Sequence, residues 1–166
     1  MRSPVGPLVL VGAVGSRGLD LRGIYFEGAP HAGGVVPEEA REDDEAFGEV
    51  ITQLRAYFDG TRTTFDVRIA PRGTDFQREV WRALAAIPYG ETKTYAEIAR
   101  AIGRPRAVRA VGAANGKNPL SIVVPCHRVI GRDGTLTGYA GGIDTKRRLL
   151  ELERGASLAS RRASVE

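Results

Sequence analysis

The chain of 166 residues changes character at Arg72, and that change decides what it can fold into. Before it, short β-like runs punctuated by glycine (Pro7 to Val11, Gly23 to Phe26 and Phe65 to Ile69) predict a small antiparallel sheet. Between them, Gly28 to Asp44, with Gly33-Gly34, Pro37 and the acidic stretch from Glu38 to Glu45, reads as a solvated loop. From Asp44 the apolar positions Phe47, Val50, Ile51, Leu54, Tyr57 and Phe58 recur at helical spacing, and Gly60 stands where a left-handed residue ends a helix. The aromatics of that helix read as packing against the sheet rather than as a ligand box. After Arg72 helix signals dominate. Thr74 with Gln77 is a capping-box pattern ahead of Phe76, Val80, Leu84 and Ile87, and Pro88-Tyr89-Gly90 ends that helix. Thr94 with Glu97 opens another, with Ala96 or Ala99, Ile98 and Ile102 inward and Gly103 as its stop. The expected class is α+β: a small N-terminal antiparallel β-sheet with one helix over residues 1–71, then a mainly helical part over 72–155. The Ser-, Ala- and Arg-rich residues 156–166 read as a disordered tail.

Only packing is expected to hold such a chain together. A single cysteine cannot form an internal disulfide, and with His31 and His127 as the only histidines a structural zinc site is not expected. With 42% hydrophobic and 27% charged residues, the usage is that of a soluble globular protein. No apolar stretch is long enough to cross a bilayer, and the start lacks the pattern of a secretory signal, so a cytoplasmic location is expected. The net charge of +4 hints at an anionic partner.

After Pro105, a further short helix from Arg106 to Ala114 ends at Asn115-Gly116. Together with the helix opened by Thr94 it has the outline of a helix-turn-helix. Val108 and Val111 can face inward, while Arg106 and Arg109 share a side with Ala110, Gly112 and Ala113 nearby. A helix with ordinary side chains is about 10–12 Å across, too wide for a minor groove of roughly 6 Å. Small residues allow a closer approach to nucleic acid, or equally a tight helix–helix contact; the arginines favour nucleic acid.

Leu120 to Val124 reads as a short apolar strand closed by Pro125, and Cys126-His127-Arg128 follows at once. The bland reading of a lone cysteine is an inert buried residue. Here it stands at a strand end beside a histidine, flanked by cations that favour the thiolate, after a basic helix. Neighbouring residues on a strand point to opposite faces, so adjacency alone does not bring the imidazole to the sulfur; a bridging water or an irregular turn is needed.

The run Ser121-Ile122-Val123-Val124-Pro125-Cys126-His127-Arg128-Val129-Ile130 resembles the active-site signature of the O6-alkylguanine-DNA alkyltransferases, the methylated-DNA–protein-cysteine methyltransferase family. Phe76 to Trp81, Ile87-Pro88-Tyr89-Gly90, Thr94-Tyr95, Arg109-Ala110-Val111-Gly112, Asn118-Pro119, Gly138-Tyr139-Ala140-Gly141-Gly142 and Lys146 to Glu153 sit in the family's order and spacing. The N-terminal part, with Ser3-Pro4-Val5-Gly6-Pro7-Leu8, matches more loosely. The resemblance implies a ribonuclease H-like N-terminal domain and a winged-helix-like helix-turn-helix domain carrying the active-site cysteine.

It also implies direct-reversal DNA repair. Cys126 would take the alkyl group from O6-alkylguanine in a single irreversible, stoichiometric transfer. His127 would receive the thiol proton through water, Glu153 would orient the imidazole, and Asn118 would secure the turn before the active-site segment. The target base would be flipped out of the duplex, with Arg109 filling its place, Gly112 and Ala113 in the minor groove and Arg128 among the DNA contacts. Tyr95 would crowd the phosphate and donate a proton to guanine N3, while Val129, Tyr139 and Ala140 line the base and alkyl pocket. Some relatives carry serine where Ala140 stands, and some bind zinc in the N-terminal domain through cysteines this chain lacks; no metal and no cofactor are expected. The implied partner is double-stranded DNA containing alkylated guanine, bound by a protein that is a monomer in solution. The resemblance also admits O4-alkylthymine as a substrate and cooperative assembly on DNA.

Read without the resemblance, Glu153 is a solvated carboxylate near a helix C-terminus, where the helix dipole disfavours it. Arg109 is then a salt-bridging surface residue, and the two tyrosines are core aromatics. Two other function classes stand beside alkyl transfer. A DNA-binding module without catalysis is opposed by the presence of Cys126, and a cysteine hydrolase would need an oxyanion hole and turnover.

Overall fold

The structure, a computed structural model, describes residues 1–29, 36 and 39–163, with side chains described as far as residue 156. Gly33-Gly34, Pro37 and Glu38 of the expected loop, and the last three residues of the expected tail, lie outside the described residues.

Strands β1 (Leu8–Gly15) and β2 (Gly18–Phe26) form an antiparallel hairpin, longer than the apolar runs suggested, in register from Leu8–Phe26 to Gly15–Gly18 with an irregularity at Val11/Gly12. Helix α1 (Gly48–Phe58) packs its buried Val50, Leu54 and Tyr57 into the same core as Leu21, Ile24 and Phe26. Gly60 follows it at φ 73°, as expected of its position. The third expected strand is absent. Phe65 to Ile69 makes one parallel bridge, Ile69 with Leu21, because Gln53 of α1 takes over the backbone of Asp66. The Gln53 amide accepts from the Asp66 N–H at 2.8 Å and donates to its carbonyl at 2.9 Å, which leaves Asp66 no ladder position for a strand partner.

The C-terminal half follows its capping signals. Helix α2 (Asp75–Ala85) opens on the Thr74/Gln77 box and α3 (Tyr95–Ala101) on the Thr94/Glu97 box, each with both reciprocal bonds made. Gly103 at φ 70° turns the chain into α4 (Val108–Gly116), two residues later than expected at each end. Arg106 therefore precedes the helix, and Asn115-Gly116 forms its last turn. Val111 and Ala114 face the core, and the Trp81 indole N–H donates to the Ala114 carbonyl at 2.9 Å, tying α2 to α4. A parallel pair unmarked in sequence, β3 (Lys93–Thr94) with β4 (Val129–Ile130), joins the start of α3 to the segment after Cys126.

Helix α5 (Ile143–Ala163) overrides the expected disordered tail as far as Ala163. Its Leu149, Leu150 and Glu153 are anchored in the interior, and the Ala, Leu and Arg residues that follow let the helix continue from that anchored start across Gly155. Glu153 consequently sits mid-helix, so the dipole conflict expected of a C-terminal carboxylate does not arise. No described helix is long and apolar enough to cross a membrane.

Candidate active site

The expected strand from Leu120 to Val124 is instead a closed loop. Only Leu120 pairs, through a parallel bridge with Ile24 in which the Ile24 N–H donates to the Pro119 carbonyl at 2.8 Å. Asn118 then folds the chain back: its side-chain oxygen accepts from the Leu120 N–H at 3.0 Å and its amide donates to the Val124 carbonyl at 2.8 Å. Ile122, buried and β-branched, is held at φ 75°, a conformation that costs on the order of 1–3 kcal/mol and persists where the surroundings impose it. Cys126, His127 and Arg128 then form a single 3₁₀ turn. This is the irregular turn that the cysteine–histidine pair requires. At three residues per turn, successive side chains are no longer on opposite faces as they would be on a strand.

The turn is built around Glu153. This carboxylate is 0% exposed and faces five donor groups. Oε1 accepts from the Tyr57 hydroxyl at 2.7 Å and Arg128 Nη2 at 3.0 Å and lies 2.7 Å from His127 Nε2. Oε2 accepts from Arg128 Nε at 2.9 Å and the Gly90 N–H at 3.1 Å. Burial alone would favour the protonated acid, but hydrogen bonds and charge from His127 and Arg128 outweigh it and hold the carboxyl at about 2.

An ionised carboxylate at Nε2 places the imidazole proton there and leaves Nδ1 as the acceptor. Nδ1 is buried and has no hydrogen-bond partner among the described residues. Burial lowers the His127 pKa against the opposing pull of Glu153, so the ring is neutral near pH 7 and can act as a base. Cys126 is 4% exposed, and burial pushes its thiol up, opposed by the Asn118 amide and the Lys146 charge. Its resting form is the thiol, although flanking cations were expected to favour the thiolate. The thiolate must be made by proton transfer when a substrate arrives.

Arg128, expected among the DNA contacts, does not reach the surface. It is 5% exposed, and its guanidinium is spent on Glu153 and on the Ile87 carbonyl, 2.5 Å from Nη1. The cation that acts on the sulfur is Lys146, buried on α5, whose ammonium donates to the carbonyls of Val129 at 2.6 Å and Thr137 at 2.8 Å. Burial lowers its pKa to about 8. Through these two carbonyls it clamps the Thr137–Gly142 segment beside the turn. Tyr139 in that segment packs edge-on against Phe26 at 5.5 Å and His127 at 6.3 Å, with its hydroxyl buried. A cavity of about 280 Å³ bounded by Tyr25, Phe26, Asn118, Ser121 and Ala140 opens beside the loop, and Cys126 is not one of its walls.

On the surface above, Arg109, Ala110, Ala113 and Gly116 form an exposed face of α4 with one long side chain. Gly112 lies under the Tyr95 ring, where an added Cβ would stand 3.9 Å from Cδ1 and Cε1. The Tyr95 hydroxyl approaches Thr137, 3.5 Å from its carbonyl oxygen and 3.4 Å from its Oγ1. The structure thus gathers Cys126, His127, Glu153, Asn118, Val129 and Tyr139 around one loop, with Tyr95 and the α4 face at its edge.

The 6-O-methylguanine DNA methyltransferase ribonuclease-like domain matches residues 1–71, and the DNA binding domain of the same name matches residues 75–155. The chain belongs to the 6-O-methylguanine DNA methyltransferase family. The methylated-DNA–protein-cysteine methyltransferase of Methanosarcina barkeri is 51% identical over 154 residues, 92% of this chain and 94% of the relative. That of Mycobacterium bovis is 54% identical over 157 residues, 95% of this chain and 92% of its own. The crystal structure of Mycobacterium tuberculosis OGT in complex with DNA superposes with a TM-score of 0.85 at 50% identity, covering 94% of this chain and 91% of that one.

Within this methyltransferase framework, sequence reasoning missed two buried polar residues. Lys146 carried a usable signal: Lys146, Leu149, Leu150 and Glu153 fall at i, i+3, i+4 and i+7, so a lysine occupies a core-facing position. Tyr57 carried almost none, because a phenol among apolar helix positions looks like packing.

Proposed function

We propose that this protein repairs alkylated guanine in DNA by transferring the alkyl group to Cys126, once per molecule. The observation that carries the reading is the buried Cys126 on a 3₁₀ turn with His127, whose Nε2 faces Glu153 at 2.7 Å while its Nδ1 is unpartnered among the described residues. An orienter, a base with a free acceptor and a closed-off nucleophile are the parts required of an activated thiol.

The reaction balances as follows. The thiol proton passes, through water, to His127 Nδ1, and the sulfur attacks the alkyl carbon in line. An S–C bond forms as the C–O6 bond breaks, and its electron pair goes to the guanine. Tyr95 donates a proton to N3, so the base leaves neutral, and the phenolate is reprotonated from solvent. A thioether has no hydrolytic exit, which makes the transfer stoichiometric. Glu153 keeps the imidazole in the tautomer that can accept. Lys146 shapes the pocket segment and favours the thiolate as it forms.

A base inside a duplex cannot reach a sulfur sealed beneath the loop, so extrusion of the target is part of this reading. The exposed α4 face supports an approach along the minor groove: Ala110, Ala113 and Gly116 admit the backbone closely, and Arg109 is the one side chain long enough to enter the stack. Double-stranded DNA is the partner, and residues 1–71 and 72–155 act as a supporting and a DNA-binding domain. Mass spectrometry after mixing with an O6-methylguanine duplex tests the reading. One methyl group per protein, located on Cys126 and stopping at one equivalent, is expected; no adduct, or continued turnover, refutes it.

A further inference from the structure

Tyr57 belongs to α1 in the N-terminal half, yet its hydroxyl ends in the C-terminal site. Its ring is fully buried among Phe58 at 5.4 Å, Phe65 at 5.5 Å and Tyr89 at 5.9 Å. Its O–H leaves that apolar cluster to donate to Glu153 Oε1 at 2.7 Å, the oxygen that also faces His127 Nε2 at 2.7 Å. We propose that Tyr57 is a positioning residue for alkyl transfer: its hydroxyl sets the orientation and basicity of Glu153 Oε1, and through it the tautomer and basicity of His127.

The arrangement supports this over simple packing. Oε2 has two donors other than Tyr57, Arg128 Nε and the Gly90 N–H, whereas Oε1 shares its charge among Tyr57, Arg128 Nη2 and His127. Removing the phenol O–H thus acts on the oxygen that holds the base and spares the other. Tyr57 is not itself an acid or base in the reaction, because burial and the adjacent carboxylate drive its proton loss far above the ordinary range. Removing the hydroxyl leaves the other groups around Glu153 chemically unchanged. They are His127 and Arg128 from the 3₁₀ turn, Tyr89 and the Gly90 N–H from the segment after α2, and, farther off, Lys146 on α5 and Tyr139.

The sign of the effect follows from charge. With one donor fewer, Oε1 presents more negative charge to His127 and favours imidazolium. Tyr57→Phe is expected to move the acid limb of the transfer-rate profile to higher pH by about half a unit and to slow transfer at its optimum about tenfold through looser orientation. Site-specific 3-fluorotyrosine at position 57, a stronger donor of the same shape, should move the limb the opposite way. Phe65→Leu, which loosens the same aromatic cluster without removing a donor, should lower the melting temperature and leave the limb where it is.

The inference rests on the alkyl-transfer reading, and the two fail differently. If the wild-type protein forms no S-methyl adduct, that reading falls before Tyr57 is tested. If the wild type transfers and neither change at position 57 moves the acid limb, Tyr57 is packing only and the proposal is overturned. The fluorotyrosine arm retains the ring and hydroxyl, so the outcome stands even where Tyr57→Phe is too unstable to assay.

Discussion

Glu153→Gln tests the site at its centre, and its cost can be worked from the contacts. The amide keeps the shape but has one acceptor oxygen and one NH₂. With the oxygen in the Oε1 place, the NH₂ confronts two donors, Arg128 Nε and the Gly90 N–H. Turned over, it confronts Tyr57, His127 Nε2 and Arg128 Nη2. Either way buried donors lose their partners and the Arg128 guanidinium loses its counter-charge, a change that costs about 3–5 kcal/mol in buried pairs. At roughly 2–4 °C per kcal/mol for a chain of this size, the melting temperature should fall by about 6–20 °C. Transfer should suffer separately. Without the carboxylate the imidazole proton is free to sit on Nδ1, the nitrogen that must accept, and losing the general base slows the step by about 10²–10⁴. DNA affinity should stay at the wild-type value, because the residue is wholly interior. The assay pairs thermal unfolding with single-turnover transfer from an O6-methylguanine duplex, run below the variant's melting point. Near wild-type transfer in a folded Glu153→Gln protein would show that the carboxylate does not govern the base.

Other outcomes follow from the same contacts. Glu153 has a folded pKa near 2 against 4.5 in the unfolded chain, so its contribution is present above about 4.5 and lost as pH falls through about 2. Acid unfolding should show a loss on the order of 3 kcal/mol across that window, absent in Glu153→Gln. Arg109→Ala should slow transfer from a duplex roughly 10–100-fold while sparing transfer from a single strand, where no base needs extruding; an equal loss on both substrates would remove Arg109 from the extrusion step. Arg128→Met should bind DNA like the wild type and melt lower, the reverse of a surface contact, as titration and calorimetry together will show. Lys146→Met removes the cation that favours the sulfur's charge and orphans two carbonyls, so the Cys126 thiol should titrate higher by thiolate absorbance and transfer near pH 7 should slow.

What was legible in the sequence was what local chemistry decides. Both capping boxes, the Gly60 and Gly103 stops and the small-residue face of α4 depend on side chains within a few positions of the backbone they serve, and the structure forms each of them. The failures share a cause: a distant side chain satisfied the backbone or charge that a local reading assigned elsewhere. Phe65 to Ile69 has the composition of a strand, but Gln53 takes the backbone of Asp66. Leu120 to Val124 has it too, but Asn118 bonds at both ends and turns the run on itself. Arg128 adjoins the cysteine and histidine in sequence, yet its charge answers a carboxylate 25 residues later.

The same cause explains why the cysteine could be singled out without its state being known. Local sequence suggested flanking cations and hence a thiolate, whereas the structure turns Arg128 away, buries the sulfur and supplies Lys146 from another helix. A buried thiol is the safer resting form for a group that reacts once, since a standing thiolate would be alkylated or oxidised by whatever small electrophile reached it. On the proposed mechanism, reactivity is conditional on the extruded base entering, when His127 takes the proton. That condition depends on Glu153, and Glu153 depends on donors from both halves of the chain, Tyr57 from α1 as well as Arg128 and Gly90. The N-terminal hairpin and helix are therefore more than a cover for the DNA-binding half: β2 pins the active-site loop through Ile24, and α1 completes the carboxylate's hydrogen bonds. A C-terminal fragment beginning at Arg72 would lose both, and its Cys126 should transfer more slowly than that of the whole chain even where the fragment still binds DNA.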